Sequence, residues 1–581
     1  MRWPRALLVA VAVVFCGACS RANKETGVAA LDENFVRAAL SLSPSAATAQ
    51  GYHEHHGVVL DELLDDFSPS GIKHARDVYQ QFLSDIKRRP EHSISAEDEA
   101  DLDIIRLQCE SQLLDIEHIQ SYRHNPTIYV ETIGTAIYSP FVLNYAPEEK
   151  RLKEIVSRME KIPAALETAR KNLRDSPEIW NRVAQEENQG NIDLIDRAIR
   201  AKVPAALKKG YDVAASDALG ALRRFDGFLK TDLSRHTSDW RLGPQFYAEK
   251  FRLTLDTGDS PQRALADAET ALKRMRADMR QQAVTVYPKF FPGETAPADG
   301  NTLVSQVLDR IARVHANSSR YFEAAKGDLA EATEFVRSKG LLDLPNTSSL
   351  QVIPTPEFMR GIYSVGGFAP APALEPRLGS YYWITPFTPD MSADRIESKL
   401  REYNLYGLKI LTIHEAMPGH YVQAEYASEV QPKWRGALRQ IFGNVPYVEG
   451  WAVYATGLMI DQGFQNTPEM RLTFGKQMLR VIANTILDVK LQTMSMTDRQ
   501  ALDLMIGETF QEKEEAEKKL QRAKLSSCQL PAYFVGWRGW ERLRAACEKR
   551  AGAQFRLSRF HDRALREGAA PLPILSRILL Q

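Results

Sequence analysis

Two histidines and a glutamate lie close together in the C-terminal half of the sequence. His414 and Glu415 are adjacent, and His420 follows His414 after six positions. Neutral imidazole is the commonest metal ligand in proteins, and zinc hydrolases also need a carboxylate that takes a proton from water. These residue types are therefore typical of a zinc-dependent hydrolase, in which Glu415 would be the general base.

The spacing of the two histidines does not fit a regular helix. In the common HExxH arrangement, two histidines four residues apart lie on one helix face. A spacing of six would rotate the second histidine by roughly 240° from the first on a helix with about 3.6 residues per turn. Pro418 and Gly419 lie in the gap, and both residue types interrupt helices. The sequence therefore predicts that the helix carrying His414 is interrupted between Ala416 and His420.

Glu449 is the candidate for a third metal ligand. It lies 29 residues after His420, in a segment whose pattern is that of an apolar helix. A carboxylate near a helix start is also favourable without any ligand, because it interacts with the helix dipole. Two interpretations therefore stay open from the residues alone. One is a His-His-Glu metal site, and the other is a pair of hydrogen-bonded histidines beside a helix kink.

Several segments resemble the domain of unknown function 885 family of bacterial proteins. The HExxPGH motif of this family, followed by a glutamine, corresponds to residues 414–420 and Gln423, and its EGWA motif corresponds to residues 449–452. The resemblance covers most of the mature chain and is densest from about residue 400 to 575. Further matching positions are Gln529, Tyr533, Gly536, residues 560–562 and Gly568.

The resemblance implies a helical zinc protein related in layout to the thimet oligopeptidase and angiotensin-converting enzyme groups. It implies one zinc ion per chain, held by His414, His420 and Glu449, with Glu415 as the base. One departure concerns a family histidine in an Asp-Thr-Gly-Leu-His run, which is replaced here by Asp488. With Asp488 in place of this histidine, a reduced or altered activity stays open.

Further residues are candidates for contacts with the substrate. Tyr533 is the candidate donor to the developing oxyanion, since a phenol donates a hydrogen bond without a change of charge. Gln423, Gln529 and Tyr382 are candidates for substrate binding, although buried amides and tyrosines are also common as structural residues. Near the end of the chain, Asp562 is expected to cap a helix rather than to relay protons with the preceding histidine.

The elements that must position these residues are predicted to be almost entirely α-helical. Between residues 341 and 392, eight prolines interrupt the helical pattern, and short β-like runs occur at 350–353 and 381–385. The predicted fold class is therefore all-α with a small β insertion near residues 345–390. Helical spacing of apolar residues is found before this insertion in the segments 30–50, 72–88, 95–122, 148–173, 177–202, 213–232, 260–284 and 302–338, and it resumes from residue 393 almost to the end.

The change of pattern near residue 340 indicates two lobes around a cleft. The predicted N-terminal lobe covers residues 31–340, and the predicted catalytic lobe covers residues 341–581. Lysine plus arginine and aspartate plus glutamate both number 74, so the net charge is zero and nothing indicates nucleic-acid binding. No oligomeric state is predicted.

The N-terminus has the pattern of an export signal. In residues 1–18, Arg2 and Arg5 precede an apolar run of about ten residues, which is too short to cross a bilayer core of about 30 Å. The small residues before Cys19 resemble a bacterial lipobox, so Cys19 is the predicted lipidation site and residues 19–30 the predicted tether. The expected location is the outer membrane, facing the periplasm, with plain secretion as the alternative.

Three cysteines remain in the mature chain. They are Cys109, Cys528 and Cys547, so one disulfide bridge is possible in an oxidising compartment, and buried free thiols are equally compatible with the sequence. No GxSxG motif is present, which disfavours a serine nucleophile.

Three functions stay open from the sequence. The first is a periplasmic zinc peptidase that acts on peptides. The second is a zinc hydrolase acting on another amide, such as a cell-wall fragment or a small amide. The third is a binding lipoprotein with a degenerate site, whose only contact with a membrane is its lipid anchor.

Overall fold

The computed structural model describes residues 27–89, 94–345, 350–355, 365–388 and 391–581. The predicted signal peptide and the predicted lipidation site at Cys19 lie outside these residues. Within the described ranges, no helix combines the length and the apolar character that crossing a membrane requires.

The chain is mostly helical with small sheets, which confirms the predicted fold class. The first helix begins at Val28, which is earlier than expected, since the predicted tether extends to residue 30. The helices of the first 340 residues are α1 Val28–Ser41, α2 Pro44–Ala49, α3 Pro69–Lys87, α4 Ala96–Leu114, α5 Ser121–His124, α6 Thr127–Val142, α7 Glu148–Asn172, α8 Glu178–Asp193, α9 Ala205–Thr231, α10 Gly243–Leu255, α11 Pro261–Phe290, α12 Gly300–Ala312 and α13 Tyr321–Lys339.

The second half of the chain returns to helices after the β insertion. Short turns of 3-10 or π helix extend several of the helices in both halves. The helices after the insertion are α14 Ala393–Glu402, α15 Leu405–Glu415, α16 His420–Ser428, α17 Lys433–Phe442, α18 Val445–Asp461, α19 Pro468–Thr493, α20 Asp498–Leu502, α21 Lys513–Leu525, α22 Pro531–Ala551, α23 Leu557–Arg566 and α24 Leu572–Leu580.

Two small sheets accompany the helices. A two-stranded antiparallel ribbon lies near the N-terminus, and the predicted insertion forms a three-stranded sheet of order β3-β5-β4. Strand β3 is parallel to β5, and β4 is antiparallel to β5 with Phe368 opposite Tyr382. The strands are β1 Glu54–His55, β2 Val58–Val59, β3 Leu350–Pro354, β4 Gly366–Ala369 and β5 Ser380–Ile384. In the three-stranded sheet, β3 and β5 correspond to the predicted β-like runs.

Asparagine caps fix the starts of the two helices that carry the candidate residues. The side chain of Asn404 accepts hydrogen bonds from the backbone N–H groups of Tyr406 and Gly407 at the start of α15. The side chain of Asn444 accepts one from the N–H of Tyr447 at 2.9 Å at the start of α18. Each cap satisfies helix donors that otherwise have no partner inside the helix.

An aromatic cluster holds α18 and α22 against the chain that follows α15. Trp451 and Trp540 are fully buried, and their ring centroids are 5.0 Å apart. The indole N–H of Trp451 donates to the carbonyl of Pro418 at 2.9 Å, and that of Trp540 donates to the carbonyl of Tyr447 at 2.9 Å. Burial of such large side chains with both indole donors bound is strongly stabilising.

Several hydrophobic cores run across residue 340. Leu31 and Phe35 of α1 pack with Leu438 of α17, and Phe251 of α10 packs in one cluster with Ile482 of α19. The two predicted lobes therefore share their cores, and the division at residue 340 stays a prediction. The three cysteines of the mature chain are all free thiols in this structure.

Candidate metal centre

The helix that carries His414 ends where the sequence predicted. Helix α15 ends at Glu415, and α16 begins at His420. Between them the chain turns back, and the N–H of Gly419 donates to the carbonyl of Ile413 at 3.0 Å. A Cβ atom at Gly419 would lie 1.9 Å from the carbonyl oxygen of His414, so the turn requires glycine at this position. The predicted interruption is confirmed.

The turn brings the three candidate ligands together. The ring centroids of His414 and His420 are 4.8 Å apart, with an interplanar angle of 83°. From Oε2 of Glu449, Nε2 of His420 is 3.4 Å away and Nε2 of His414 is 3.8 Å away. Donors bound tetrahedrally at about 2.0–2.2 Å from one zinc ion would lie about 3.3–3.6 Å apart. The observed separations are close to that range.

The chemistry of Glu449 fits a cation at the same point. Its Oε2 atom is buried and accepts no hydrogen bond from the described residues. A buried carboxylate oxygen without a partner costs free energy, and a metal ion is one way to compensate it. Among the described residues, no other group of three His, Cys, Asp or Glu side chains has comparable spacing. The donor set therefore fits a zinc ion.

Two of the three side chains, His414 and Glu449, carry the charge that a metal ligand needs. Burial lowers the pKa of His414 to about 3, with a further contribution from His420, so His414 is neutral at pH 7. Burial also opposes charge on His420, but the adjacent carboxylate of Glu449 outweighs it and raises the pKa of His420. Burial opposes charge on Glu449 as well, yet the two histidines and Tyr533 keep its pKa below the usual value.

Glu415 lies at the end of α15 and is bound to the insertion sheet. Its Oε2 accepts a hydrogen bond from the backbone N–H of Phe368 in β4 at 3.0 Å. Burial, with a smaller contribution from the charge of Glu449, raises the pKa of Glu415 to about 7. A carboxylate with this pKa is suited to exchange protons near neutral pH. No residue pattern indicates the Phe368 contact, since every residue except proline carries a backbone N–H.

Tyr533 lies beside the candidate ligands. Its ring is nearly parallel to that of His414, with the centroids 6.4 Å apart. Its hydroxyl lies close to the carboxylate of Glu449 and to the guanidinium of Arg522. Burial and the charge of Glu449 raise the pKa of Tyr533 well above its usual value, so the phenol stays protonated at neutral pH. Its role as an oxyanion donor stays a prediction.

Two of the three predicted substrate-binding residues contact other parts of the protein. Tyr382 is fully buried, and its hydroxyl lies 3.0 Å from the hydroxyl of Thr412 in α15. Gln423 is buried and donates to the carbonyl of Tyr447 at 3.4 Å, which connects α16 with α18. Both side chains therefore position the site, and their role in substrate binding stays a prediction. Gln529 is exposed just before α22, and its role stays a prediction.

The residue that replaces the family histidine has structural partners. Asp488 is buried and accepts hydrogen bonds from the hydroxyl of Tyr247 at 2.7 Å and from the N–H of Cys528 at 2.8 Å. Burial raises the pKa of Asp488 to about 6. Asp488 therefore connects α19 to α10 and to the turn before α22.

The expected cap by Asp562 is wrong. Helix α23 begins at Leu557, so Asp562 lies inside the helix rather than at its start. Its carboxylate accepts hydrogen bonds from the hydroxyl of Tyr426 at 2.7 Å and from the N–H of Asp343 at 2.8 Å. The pattern around residue 560 showed a helix but gave no basis for placing its first residue, which is why the cap was misassigned.

Two solved structures are similar to this chain over nearly its whole length. One is a predicted lipoprotein of unknown function from Shewanella oneidensis, with 29% identity, a TM-score of 0.82, and coverage of 96% of this chain and 100% of that chain. The other is a predicted lipoprotein from Colwellia psychrerythraea, with 19% identity, a TM-score of 0.77, and coverage of 95% and 98%. No curated protein has significant sequence similarity to this chain.

The family comparison agrees with the motifs that surround the candidate metal centre. The sequence profile of a family described as bacterial protein of unknown function (DUF885) matches residues 44–579, which include all three candidate ligands, Glu415 and Tyr533. With a match over most of its length, this chain belongs to the domain of unknown function 885 family.

Proposed function

We propose that this protein is a zinc-dependent hydrolase that cleaves peptides. The observation that carries the proposal is the convergence of His414, His420 and Glu449 on a buried carboxylate oxygen that has no hydrogen bond, with Glu415 beside them. Two imidazoles and one carboxylate would occupy three positions of a tetrahedral zinc ion and leave the fourth open, as in catalytic zinc sites.

The side chains around the ligands have the properties that amide hydrolysis needs. A zinc ion would supply Lewis-acid polarisation of the substrate carbonyl and an activated water at neutral pH. Glu415 would accept the proton of the attacking water and pass it to the leaving nitrogen, while the N–H of Phe368 holds one oxygen of its carboxylate. Tyr533 would donate its hydroxyl hydrogen to the developing oxyanion.

The intact residues argue against a degenerate binding protein. All three ligands and the base are present and close together, and Asp488 takes part in hydrogen bonds that connect helices. Hydrolysis of another amide, such as a cell-wall fragment, would use the same groups, and a digest of a peptide library distinguishes it from peptide cleavage.

We further propose that the protein is exported and anchored by a lipid at Cys19. The support is the signal-like pattern of residues 1–18 together with the two similar structures, both described as predicted lipoproteins. Labelling of cells with a fatty-acid analogue tests this, because a Cys19→Ser variant would lose the label and would be released from the membrane fraction.

The substitution Glu415→Gln tests the hydrolase proposal. We expect the variant to retain about one zinc ion per chain by elemental analysis, because the ligands are unchanged. We expect hydrolysis of a peptide mixture to fall by about 10²–10⁴-fold, because the general base is lost. Glu429→Gln, at an exposed carboxylate after α16, is the matched control and should keep full activity. Unchanged turnover in Glu415→Gln would show the mechanism to be wrong.

A further inference from the structure

One face of α21 presents charged residues toward the candidate metal centre. Glu515, Lys519 and Arg522 are spaced by four and three positions, so they lie along one side of the helix. The adjacent apolar side, with Ala516 and Leu520, packs in one core cluster that also contains residues of α19. The charged side is therefore held in a fixed orientation by the packing of its neighbours.

Arg522 connects this face directly to the site. Its guanidinium lies close to the hydroxyl of Tyr533, which is itself close to Glu449. Arg522 is exposed, so its donors are open to solvent. A cation therefore lies beside the candidate oxyanion donor.

Lys519 is a buried lysine without a direct ion pair. Only 9% of its surface is exposed, and among the described residues its ammonium group forms no hydrogen bond or ion pair. Lys and Arg are almost never buried without a partner, so this position needs an explanation. The charges of Glu515 and, less strongly, of Glu449 act favourably on the ammonium group, so Lys519 lies within electrostatic reach of the candidate ligand.

The surrounding charges leave this region with excess positive charge. Arg480 is compensated, because Glu402 lies at 3.4 Å and Glu515 at 3.9 Å from its guanidinium. Burial, followed by the charges of Arg480 and Arg522, holds the pKa of Lys519 well below its usual value. A divalent ion on the ligands would offset the charge of Glu449, and Lys519 would then share Glu515 with Arg480.

We propose that Lys519 and Arg522 form a subsite that binds the C-terminal carboxylate of a peptide substrate, so that the enzyme removes residues from the C-terminal end. A bound carboxylate supplies a counter-charge for Arg522, favours the protonated form of Lys519, and accepts hydrogen bonds from both side chains. The position beside Tyr533 and Glu449 places this carboxylate near the bond to be cleaved. This inference rests on the proposed hydrolase function and specifies its substrate class.

Two sources of a carboxylate must be distinguished, namely the chain terminus and an acidic side chain. The terminus is the carboxylate that peptides of every sequence carry, so a subsite for it serves peptides in general. Three N-acetylated hexapeptides separate the sources: one of neutral residues with a free C-terminal acid, the same peptide as its C-terminal amide, and an amidated peptide with one internal glutamate.

The zinc-loaded wild-type protein should cleave the free-acid peptide with a kcat/KM about 10- to 100-fold above that of its amide. Mass spectrometry should find the cut near the C-terminus. Lys519→Met keeps the length of the side chain and should abolish most of this preference, and Arg522→Gln, at an exposed position, should reduce it without an effect on folding. Lys518→Met is the matched control, because the side chain of Lys518 is 41% exposed and pairs with Glu514 at 3.1 Å.

Three results would refute the proposed subsite. Equal cleavage of acid and amide by the wild type, or a preference that survives in Lys519→Met, would refute it. Cleavage of the amidated peptide with glutamate at the rate of the free acid would assign the pocket to side chains and refute the terminal carboxylate. A metal-dependent peptidase with any of these results would leave the proposed function intact.

Absence of all cleavage would instead contradict the proposed function, and the subsite would still be tested by binding. Calorimetry with zinc-loaded Glu415→Gln protein measures the affinity for the free-acid peptide and for its amide without turnover. The subsite predicts binding of the acid about 10-fold or more tighter than the amide, and equal affinities would refute it. The melting temperature of Lys519→Met shows whether the variant is folded.

Discussion

At the scale of single residues, the position of Tyr533 between a candidate ligand and a cation determines what its hydroxyl can do. The phenol stays protonated because burial and the charge of Glu449 raise its pKa. We expect Tyr533→Phe to lower kcat by about 10²–10³-fold at saturating zinc, the usual effect of removing one oxyanion donor. KM should change little, because the ground state of the substrate does not need this donor.

Tyr287→Phe is a suitable control for this substitution. The hydroxyl of Tyr287 interacts with Gln306 at 3.1 Å, in a core cluster of α11 and α12 that contains no candidate ligand. Steady-state kinetics on one peptide should show full activity for this variant. If Tyr533→Phe kept the wild-type kcat at saturating zinc, Tyr533 would be only a support for Glu449.

The buried imidazole of His561 predicts a dependence of stability on pH. Burial lowers the pKa of His561 to about 4, while its ring nitrogens bind the hydroxyl of Tyr454 at 2.9 Å and the carbonyl of Leu341 at 2.7 Å. In the unfolded chain the pKa is about 6.5, so the unfolded state binds more protons between pH 4 and 6.5. The free energy of unfolding therefore falls as the pH decreases through this window, by up to about 3 kcal/mol.

Urea unfolding at pH 5 and pH 7.5 measures this effect. His561→Gln cannot be protonated there and should be less stable than the wild type at pH 7.5 but lose less stability on acidification. His74→Gln, at an exposed histidine of α3, should retain the wild-type dependence on pH. An identical dependence on pH in His561→Gln would contradict the assignment.

Residue types indicated the candidate ligands but not the contacts that position them. The cluster of His414, His420 and Glu449 could be predicted because imidazole and carboxylate in motif spacing are rare. The contact from Phe368 could not, because it uses a backbone group. The contact of Tyr382 could not either, because only the fold shows that its hydroxyl lies beside Thr412, and its role in substrate binding stays a prediction.

At the scale of elements, two glycines control the crossing of α18 and α22, the helices of Glu449 and Tyr533. A Cβ atom at Gly450 would lie 2.3 Å from the carbonyl carbon of Gly536, and one at Gly536 would lie 2.0 Å from the carbonyl oxygen of Pro446. We expect Gly536→Ala to force the helices apart, because backbone atoms cannot move aside as a side chain does. Thermal unfolding should show a loss of stability above about 1–3 kcal/mol, as overpacked cores do.

The same variant should lose activity, because a wider crossing separates Tyr533 from Glu449. Gly227→Ala in α9 is the matched control, since a Cβ atom there meets nothing within 4 Å. That variant should be as stable as the wild type or more stable by about 0.5–1 kcal/mol, because alanine is the better helix former. A Gly536→Ala protein with wild-type stability would show that the helices can separate without cost.

Most elements could be predicted from periodicity, and the failures have physical reasons. Helix α6 was missed because its apolar residues are not confined to one face, so the period of a helix is hidden. Helical spacing of apolar residues runs through the segment 302–338, but the structure divides this segment between α12 and α13. Strand β4 was missed because Gly366 and Gly367 are poor strand formers, and their pairing with β5 is a tertiary contact.

At the scale of the whole molecule, Arg439 connects the beginning and the end of the chain. This fully buried guanidinium donates to Asp101 of α4 at 2.7 Å and to the carbonyl of Glu97 at 2.8 Å, and it also bonds the carbonyl of Glu567. We expect Arg439→Met to lower the free energy of unfolding by about 3–5 kcal/mol, because the buried Asp101 keeps Arg435 but loses its second cation, and two backbone carbonyls lose their donor. Arg577→Met, which breaks an exposed pair with Glu99, should cost about 1 kcal/mol or less.

Calorimetric unfolding also tests how far the shared cores unite the molecule. Since clusters join α1 to α17 and α10 to α19, the wild type should unfold in one cooperative transition. Arg439→Met should shift that transition as a whole. Two separate transitions, one for each predicted lobe, would contradict this expectation. The sequence suggested a division at residue 340 because the pattern changes there, but packing across the division depends on contacts that periodicity does not encode.

The hydrogen bond between the N–H of Phe368 and Glu415 has a consequence for inherited variation. A backbone donor is present whichever side chain occupies the position, and proline alone lacks it. No single-base change converts a phenylalanine codon into a proline codon. Point mutation at this codon can therefore alter the wall of the site, and with it the range of substrates, while the donor to the proposed base is inherited unchanged.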